Sequence, residues 1–384
     1  MGLNSSNGFH ERIERFLQER VDAGTFRKII TSVSREDVLD LSNNDYLNLA
    51  KHPLVCRAAS KAIEDDGCSA SASPLLSGFR SSHELLKQTI CNWFDSSANQ
   101  VLIWNSGYSA NQSVLKILPQ KGDLVLADKL VHESMISGIL SSGARLIRYA
   151  HLDLDELESL LTRFSGKRMV FLATESVFGM DGDYPDLRKI SELKEQFPFF
   201  WILDEAHALG WYGKKGAGLA EEKDVLKQVD LIIGTMGKAL GSSGAFTVVK
   251  NAKLTDYMIN KAGHFIYSTF LPPSSALAAV QAIELINGWQ KERKLWQEES
   301  QNIRDELTRL GHSSASGNSP IIPLFFDSLE ELRRAKENLL SSGIRVSAIR
   351  PPTVPAHSPR IRISLKRELV GSNIARRIHE ALLK

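Results

Sequence analysis

Between Val101 and Val249 short apolar runs alternate with stretches of helical periodicity. The runs are Val101–Trp104, Asp123–Ala127, Ala144–Arg148, Met169–Ala173, Phe199–Leu203, Leu231–Ile233 and Ala245–Val249. Runs this apolar suit strands covered on both faces, because a strand with one solvated face alternates apolar and polar residues. Amphipathic stretches such as Asp153–Phe164 and Asp186–Gln196 lie between several of them. The segment therefore predicts an α/β domain on a mainly parallel sheet. In such sheets ligands gather beyond the carboxyl ends of the strands, so chemistry is expected in the loops that follow these runs.

Beyond these runs, Ser274–Leu310 reads as a long helical connector with a break near Gly288, ending at Gly311. Strands are expected over Pro320–Phe326, Ile344–Ala348 and Arg360–Leu365, with helices over Ser328–Ser341 and Ser372–Leu383, which suits a smaller α+β C-terminal domain. The expected division is a large domain over residues 51–285 and a small domain over 286–384. Residues 1–50 form a segment with a helix over Glu11–Asp22, expected to pack beside the small domain. With 384 residues, 42% of them hydrophobic, the chain has enough apolar content for this core.

A formal charge of +2, from 47 basic and 45 acidic residues, offers no general attraction to nucleic acid or anionic membranes. Any anionic ligand must be held locally. Cys56, Cys68 and Cys91 lack metal-ligand spacing and read as reduced thiols. Without an apolar span or secretion signal, the expected location is the cytoplasm.

Several loops carry candidate chemistry. The run Leu231–Ile233 leads into Gly-Thr-Met-Gly-Lys-Ala-Leu-Gly, which places Lys238 in a glycine-rich turn past a buried strand. Glycines there let backbone approach a bulky ligand, and burial beside other cations favours the neutral amine that Schiff-base chemistry needs. The opposing reading is a solvated loop lysine. The strand Phe199–Leu203 delivers Asp204 and, three residues on, His207. A carboxylate at that point can pair with a protonated pyridine nitrogen. Asp204-Glu-Ala-His207 also matches the hydrolysis box of some helicases, but no Gly-Lys in the sequence is followed by Ser or Thr, so the phosphate loop is missing. For Glu205 alone a capping role remains open.

Asn105–Gln112 follows another strand and opens a helix, where the amides of Gly107 and Tyr108 would suit a phosphate. His132, past the next strand, could lie over an aromatic cofactor, although a lone histidine is more often a satisfied polar residue. Arg350 and Thr353 sit in the proline-stiffened run Ile349-Arg-Pro-Pro-Thr-Val-Pro355. Rigid support suits a guanidinium that clamps a carboxylate, and a stiff surface loop is the equal alternative.

Taken together, Leu41-Ser-Asn-Asn-Asp-Tyr-Leu47, Ser106-Gly-Tyr, Val131-His, Thr174-Glu-Ser-Val-Phe-Gly-Met-Asp-Gly182, Asp204-Glu-Ala-His207 and Thr235-Met-Gly-Lys238 resemble, in order and spacing, the α-oxoamine synthases. The resemblance runs almost to the C-terminus. It implies a fold-type I transferase dependent on pyridoxal 5′-phosphate. It assigns Lys238 to covalent attachment of the cofactor and to α-proton removal, Asp204 to the pyridine nitrogen, His207 to the ring hydroxyl and His132 to the ring face. Gly107, Tyr108 and Thr235 would contact the phosphate, joined by Thr269 from the neighbouring subunit of a homodimer. Arg350 would clamp a substrate carboxylate, with Thr353, Asn44 and Arg27 as further substrate contacts.

The run Ile349–Pro355 looks most like the branch that condenses L-alanine with a pimeloyl thioester, carried by coenzyme A or acyl carrier protein. The alternative is a relative that uses glycine or serine with another acyl-CoA. Two departures stand out. Relatives usually carry serine where this chain has Gly179, so one side-chain contact to the cofactor is lost or replaced by water. The segment Cys68-Ser-Ala-Ser-Ala-Ser-Pro-Leu-Leu-Ser-Gly78 has serine and alanine where the family has glycine, which predicts a differently shaped loop, with His83 in its expected place.

Overall fold

The computed structural model of the chain describes residues 5–29, 31, 37–355 and 357–384. A two-residue strand, β1 (Leu39–Asp40), precedes the apolar runs. These become β2 (Val101–Trp104), β3 (Leu124–Asp128), β4 (Arg145–Tyr149), β5 (Val170–Glu175), β6 (Phe200–Asp204), β7 (Leu231–Thr235) and β8 (Ala245–Val249). They form one seven-stranded sheet in the order β2-β8-β7-β6-β5-β3-β4. Only β8 runs against the others, through antiparallel pairing with both β2 and β7. Every residue of β2, β3, β5, β7 and β8 is buried, as strands covered on both faces require. Each Val, Leu or Ile so enclosed contributes about 1.5–3 kcal/mol.

One strand departs from the expectation of full cover. β4 lies at one edge of the sheet, and Arg145 and Arg148 are exposed along it, whereas β2 at the other edge is covered throughout. The crossing helices start where short polar side chains satisfy free amides. Asp186 accepts from the amides of Arg188 and Lys189 to open the helix Leu187–Gln196, a cap worth about 1 kcal/mol.

The connector divides into helices Pro273–Gly288 and Gln290–Arg309, so the break falls where Gly288 was read. Beyond it lie β9 (Ile321–Phe325), β10 (Ile344–Arg345), β11 (Ser347–Ile349) and β12 (Arg360–Ser364). The single strand expected over Ile344–Ala348 splits at Val346 because its halves serve different sheets. β10 pairs with β1, and β11 joins β12 and β9. The N-terminal helix spans Ser5–Asp22. The segment after it lies against the C-terminal part of the chain through Arg350, which donates to the carbonyls of Gly24 and Phe26, and through the β1–β10 pair. Among the described residues no helix is long and apolar enough to cross a membrane.

Candidate active site

Beyond the carboxyl ends of the parallel strands opens a cavity of about 1020 Å³. Lys238, His207, His132, Glu175 and Gly179 line it together with Arg362, Asn44, Arg27 and Thr353. Sequence-distant loops meet here because each follows the end of a neighbouring strand: Glu175 ends β5, Asp204 ends β6, and Thr235, which ends β7, leads into the turn that carries Lys238.

Lys238 extends its amine to within 2.7 Å of His207 Nε2. Burial pushes its pKa down from the ordinary 10.5 to about 8, against the opposing charges of Asp204 and Glu175, with Arg362 adding to the depression. Burial also holds His207 well below the usual imidazole range, reinforced by the charges of Lys238 and Arg362. Its Nδ1 lies 2.7 Å from the hydroxyl of the buried Tyr46.

Asp204 lies behind the cavity wall. Its oxygens accept from Asn111 Nδ2 at 2.6 Å and from the Ala206 amide at 2.8 Å. Burial raises the pKa of Glu175 to about 8, helped by the negative charge of Asp204. The Glu175 carboxylate accepts from the His132 amide at 2.6 Å, which fixes the start of the helix Glu133–Ser142 and with it the His132 ring. Glu205, the neighbour of Asp204, turns away and accepts from the amides of Leu219 and Ala220. Its role is the cap.

The helix Gly107–Ile117 opens next to this cluster, with Ser106 Oγ accepting from the Ser109 amide. As the first two residues of the helix, Gly107 and Tyr108 have amides without a partner inside it. A Cβ added at Gly107 would stand 3.4 Å from the side chain of Thr235, so the helix start lies beside the end of β7. The Tyr108 ring meets His132 edge to face at 6.3 Å. These features fit pyridoxal 5′-phosphate: two free amides at a helix start for a phosphate, a buried carboxylate for a ring nitrogen, an imidazole beside them and a lysine whose pKa is depressed.

The substrate side differs from the expectation in one respect. Arg350 is not among the cavity-lining residues, because its guanidinium is spent on the Gly24 and Phe26 carbonyls. Arg27 and Thr353 do line the cavity and bond each other at 3.0 Å. The guanidinium within the site is Arg362, from β12, which sequence reading passed over. It donates to Gly179 O, Asn44 Oδ1, Ser364 Oγ and Tyr46 Oη. The available signal was two arginines, Arg360 and Arg362, alternating on a strand that proves wholly buried. Arg360 pairs with Asp181.

Thr269 is exposed, and its carbonyl accepts from Asn105 Nδ2. His83 is buried and bonds the Leu271 carbonyl at 2.8 Å, away from the cavity. The segment before it forms a single π-helical turn over Pro74–Gly78, and the Ala72 carbonyl accepts from the Phe270 amide.

The aminotransferase class I and II family model matches residues 36–375. The 8-amino-7-oxononanoate synthase of Geobacter metallireducens is 35% identical over 375 residues, covering 97% of this chain and 93% of that protein. Among solved structures, the 8-amino-7-oxononanoate synthase of Francisella tularensis superposes with a TM-score of 0.77 at 26% identity, over 91% of this chain and 97% of the other. A serine palmitoyltransferase from S. paucimobilis has the same fold, with a TM-score of 0.89 at 22% identity, over 99% of this chain and 98% of the other. With most of its length matched by one family model and by a relative of this identity, the chain belongs to the aminotransferase class I and II family and, within it, to the α-oxoamine synthases, acyltransferases that depend on pyridoxal 5′-phosphate.

Proposed function

We propose that the protein catalyses the decarboxylative condensation of L-alanine with a pimeloyl thioester, giving 8-amino-7-oxononanoate, carbon dioxide and the free thiol, a step of biotin synthesis. The observation that carries this reading is the 35% identity, over nearly the whole chain, to a protein named for that product. It is supported by a cavity that brings a depressed-pKa lysine and a guanidinium together. When bound, pyridoxal 5′-phosphate supplies an electron sink that weakens the bonds to the α-carbon of the amino acid.

The residues divide the remaining work. Lys238 would hold the cofactor covalently, and its Nζ would take the α-proton, a task suited to an amine whose pKa is pushed down to about 8. Asp204, fixed by Asn111 and Ala206, would pair with the ring nitrogen. Gly107, Tyr108 and Thr235 hold the phosphate, joined by Thr269 of a second subunit in a homodimer. Arg362, already anchored to Gly179 and Asn44, directs its remaining N–H to the carboxylate of the amino acid. His132 covers the ring and polarises the acyl carbonyl. Arg27, Asn44 and Thr353 meet the acyl chain, and the thiol that leaves belongs to coenzyme A or acyl carrier protein.

The test is product formation from alanine, glycine and serine, each with pimeloyl-, acetyl- and succinyl-CoA. Alanine with the pimeloyl thioester is expected to give the highest kcat/KM. Strict use of glycine would move the protein to another branch of the same family.

A further inference from the structure

A line of hydrogen bonds reaches Lys238 from behind. Arg362 Nη2 donates to Tyr46 Oη at 3.2 Å, Tyr46 Oη lies 2.7 Å from His207 Nδ1, and His207 Nε2 lies 2.7 Å from Lys238 Nζ. A phenol has one proton to give. The competing acceptor, Asn44 Oδ1, is farther away at 3.3 Å and already accepts from Arg362 Nη1 at 2.8 Å. A guanidinium on the phenol oxygen strengthens its O–H as a donor, so the proton goes to His207 Nδ1. A neutral histidine that accepts at Nδ1 carries its own proton on Nε2. That N–H faces the lysine amine. An ammonium has no lone pair to receive it, so the chain is complete only when Lys238 is neutral.

What lets His207 stand there is Gly179. A Cβ at this position would lie 2.5 Å from His207 Nε2, 3.1 Å from Cδ2 and 3.2 Å from Cε1. The space is occupied by the imidazole and is not free for water. Neither partner can yield easily. Arg362 Nε holds the Gly179 carbonyl, Arg360 holds Asp181 two residues on, and the fully enclosed Tyr46 holds the far side of the ring.

We propose that Gly179 and Tyr46 are positioning residues that seat His207 as a hydrogen-bond donor to the Lys238 amine, keeping that amine neutral and ready for the aldehyde of the cofactor. This rests on the assignment of Lys238 as the cofactor lysine. Of the charged and titratable groups around the amine, Asp204 and Glu175 favour the ammonium, while Arg362 and burial oppose it. His132 lines the same cavity. The donated hydrogen bond adds to the opposing side.

The full-length protein, freed of cofactor, is mixed with pyridoxal 5′-phosphate over a range of pH, and the initial rate at which visible absorbance appears, proportional to the neutral fraction of the amine, gives the pH midpoint for Lys238. The wild-type midpoint is expected near 8. Tyr46→Phe and Gly179→Ser are each expected to raise it by about one pH unit, the equivalent of one lost hydrogen bond. Gly179→Ala, with less bulk, serves where the serine variant fails to fold. A crystal structure of either Gly179 variant is expected to show His207 moved away from Nζ. Midpoints unchanged in the Tyr46 and Gly179 variants, or an unmoved His207, overturn the proposal. Lys238→Ala reports separately on the underlying assignment, since unaltered formation of the absorbing species there would refute the lysine's role. No acyl substrate enters, so a wrong choice of substrate leaves the result intact.

Discussion

Replacing His151 with glutamine tests how the wall of the site is held in place. His151 Nδ1 lies 2.9 Å from Asp128 Oδ1, and its Nε2 lies 3.1 Å from Asp183 Oδ2. Asp183 closes the turn Phe178–Asp183, which carries Gly179, and the His151 ring stands edge-on to Phe178 at 4.5 Å. Burial alone would lower the histidine pKa, but hydrogen bonds and charges from both carboxylates outweigh it and push it from 6.5 up to about 10. A raised pKa means that the folded state binds the proton more tightly than the unfolded chain does. The stabilisation is therefore complete below about pH 6.5, declines as the pH rises and is gone above about pH 10.

Asp128 is only 1% exposed, so His151→Gln leaves a buried carboxylate without its counter-charge. With the imidazole about one-fifth exposed, a cost of about 3 kcal/mol is expected near pH 6. Urea unfolding of both proteins from pH 6 to pH 10 measures it. The difference in stability should shrink steadily as the pH rises. A difference independent of pH, or one that grows with pH, refutes the reasoning.

Three other substitutions separate the roles of neighbouring residues. Arg362→Lys keeps the charge but loses the fork that reaches Gly179, Asn44, Ser364 and Tyr46, so the KM for the amino acid should rise about tenfold or more in steady-state kinetics. Arg350→Ala should change that KM less than about threefold, since its partners are carbonyls of the N-terminal segment, and should instead speed proteolysis near Gly24–Phe26. Gly182→Ala places a Cβ at φ +70° against the Ile321 carbonyl and 2.8 Å from Ser319 Oγ, and should cost about 3 kcal/mol in denaturant titrations.

How far the sequence discloses this protein depends on whether a feature is local. The parallel strands are legible because enclosure on both faces leaves a continuous apolar run, and the connector break is legible at Gly288. β4 was read as a covered strand because periodicity alone does not reveal position at the edge of a sheet. Lys238, Asp204, His207 and His132 stand out by their place after buried strands, but each alone admits a bland reading, and only their order and spacing as a set point to the cofactor.

Arg350 and Arg362 show the limit. The prolines around Arg350 suggested a rigid clamp, but where a guanidinium points is decided by a segment more than three hundred positions away in the chain. Arg362 looked like an ordinary strand residue, and only the fold brings it into the cavity that Lys238 lines. Gly179 was read as a missing contact, whereas the structure fills its space with His207.

The most direct test of the central claim is borohydride reduction of the purified, cofactor-loaded protein, followed by peptide mapping. The account requires loss of the visible absorbance and a single phosphopyridoxyl adduct on the peptide containing Lys238. An adduct on any other lysine, or none at all, would contradict it.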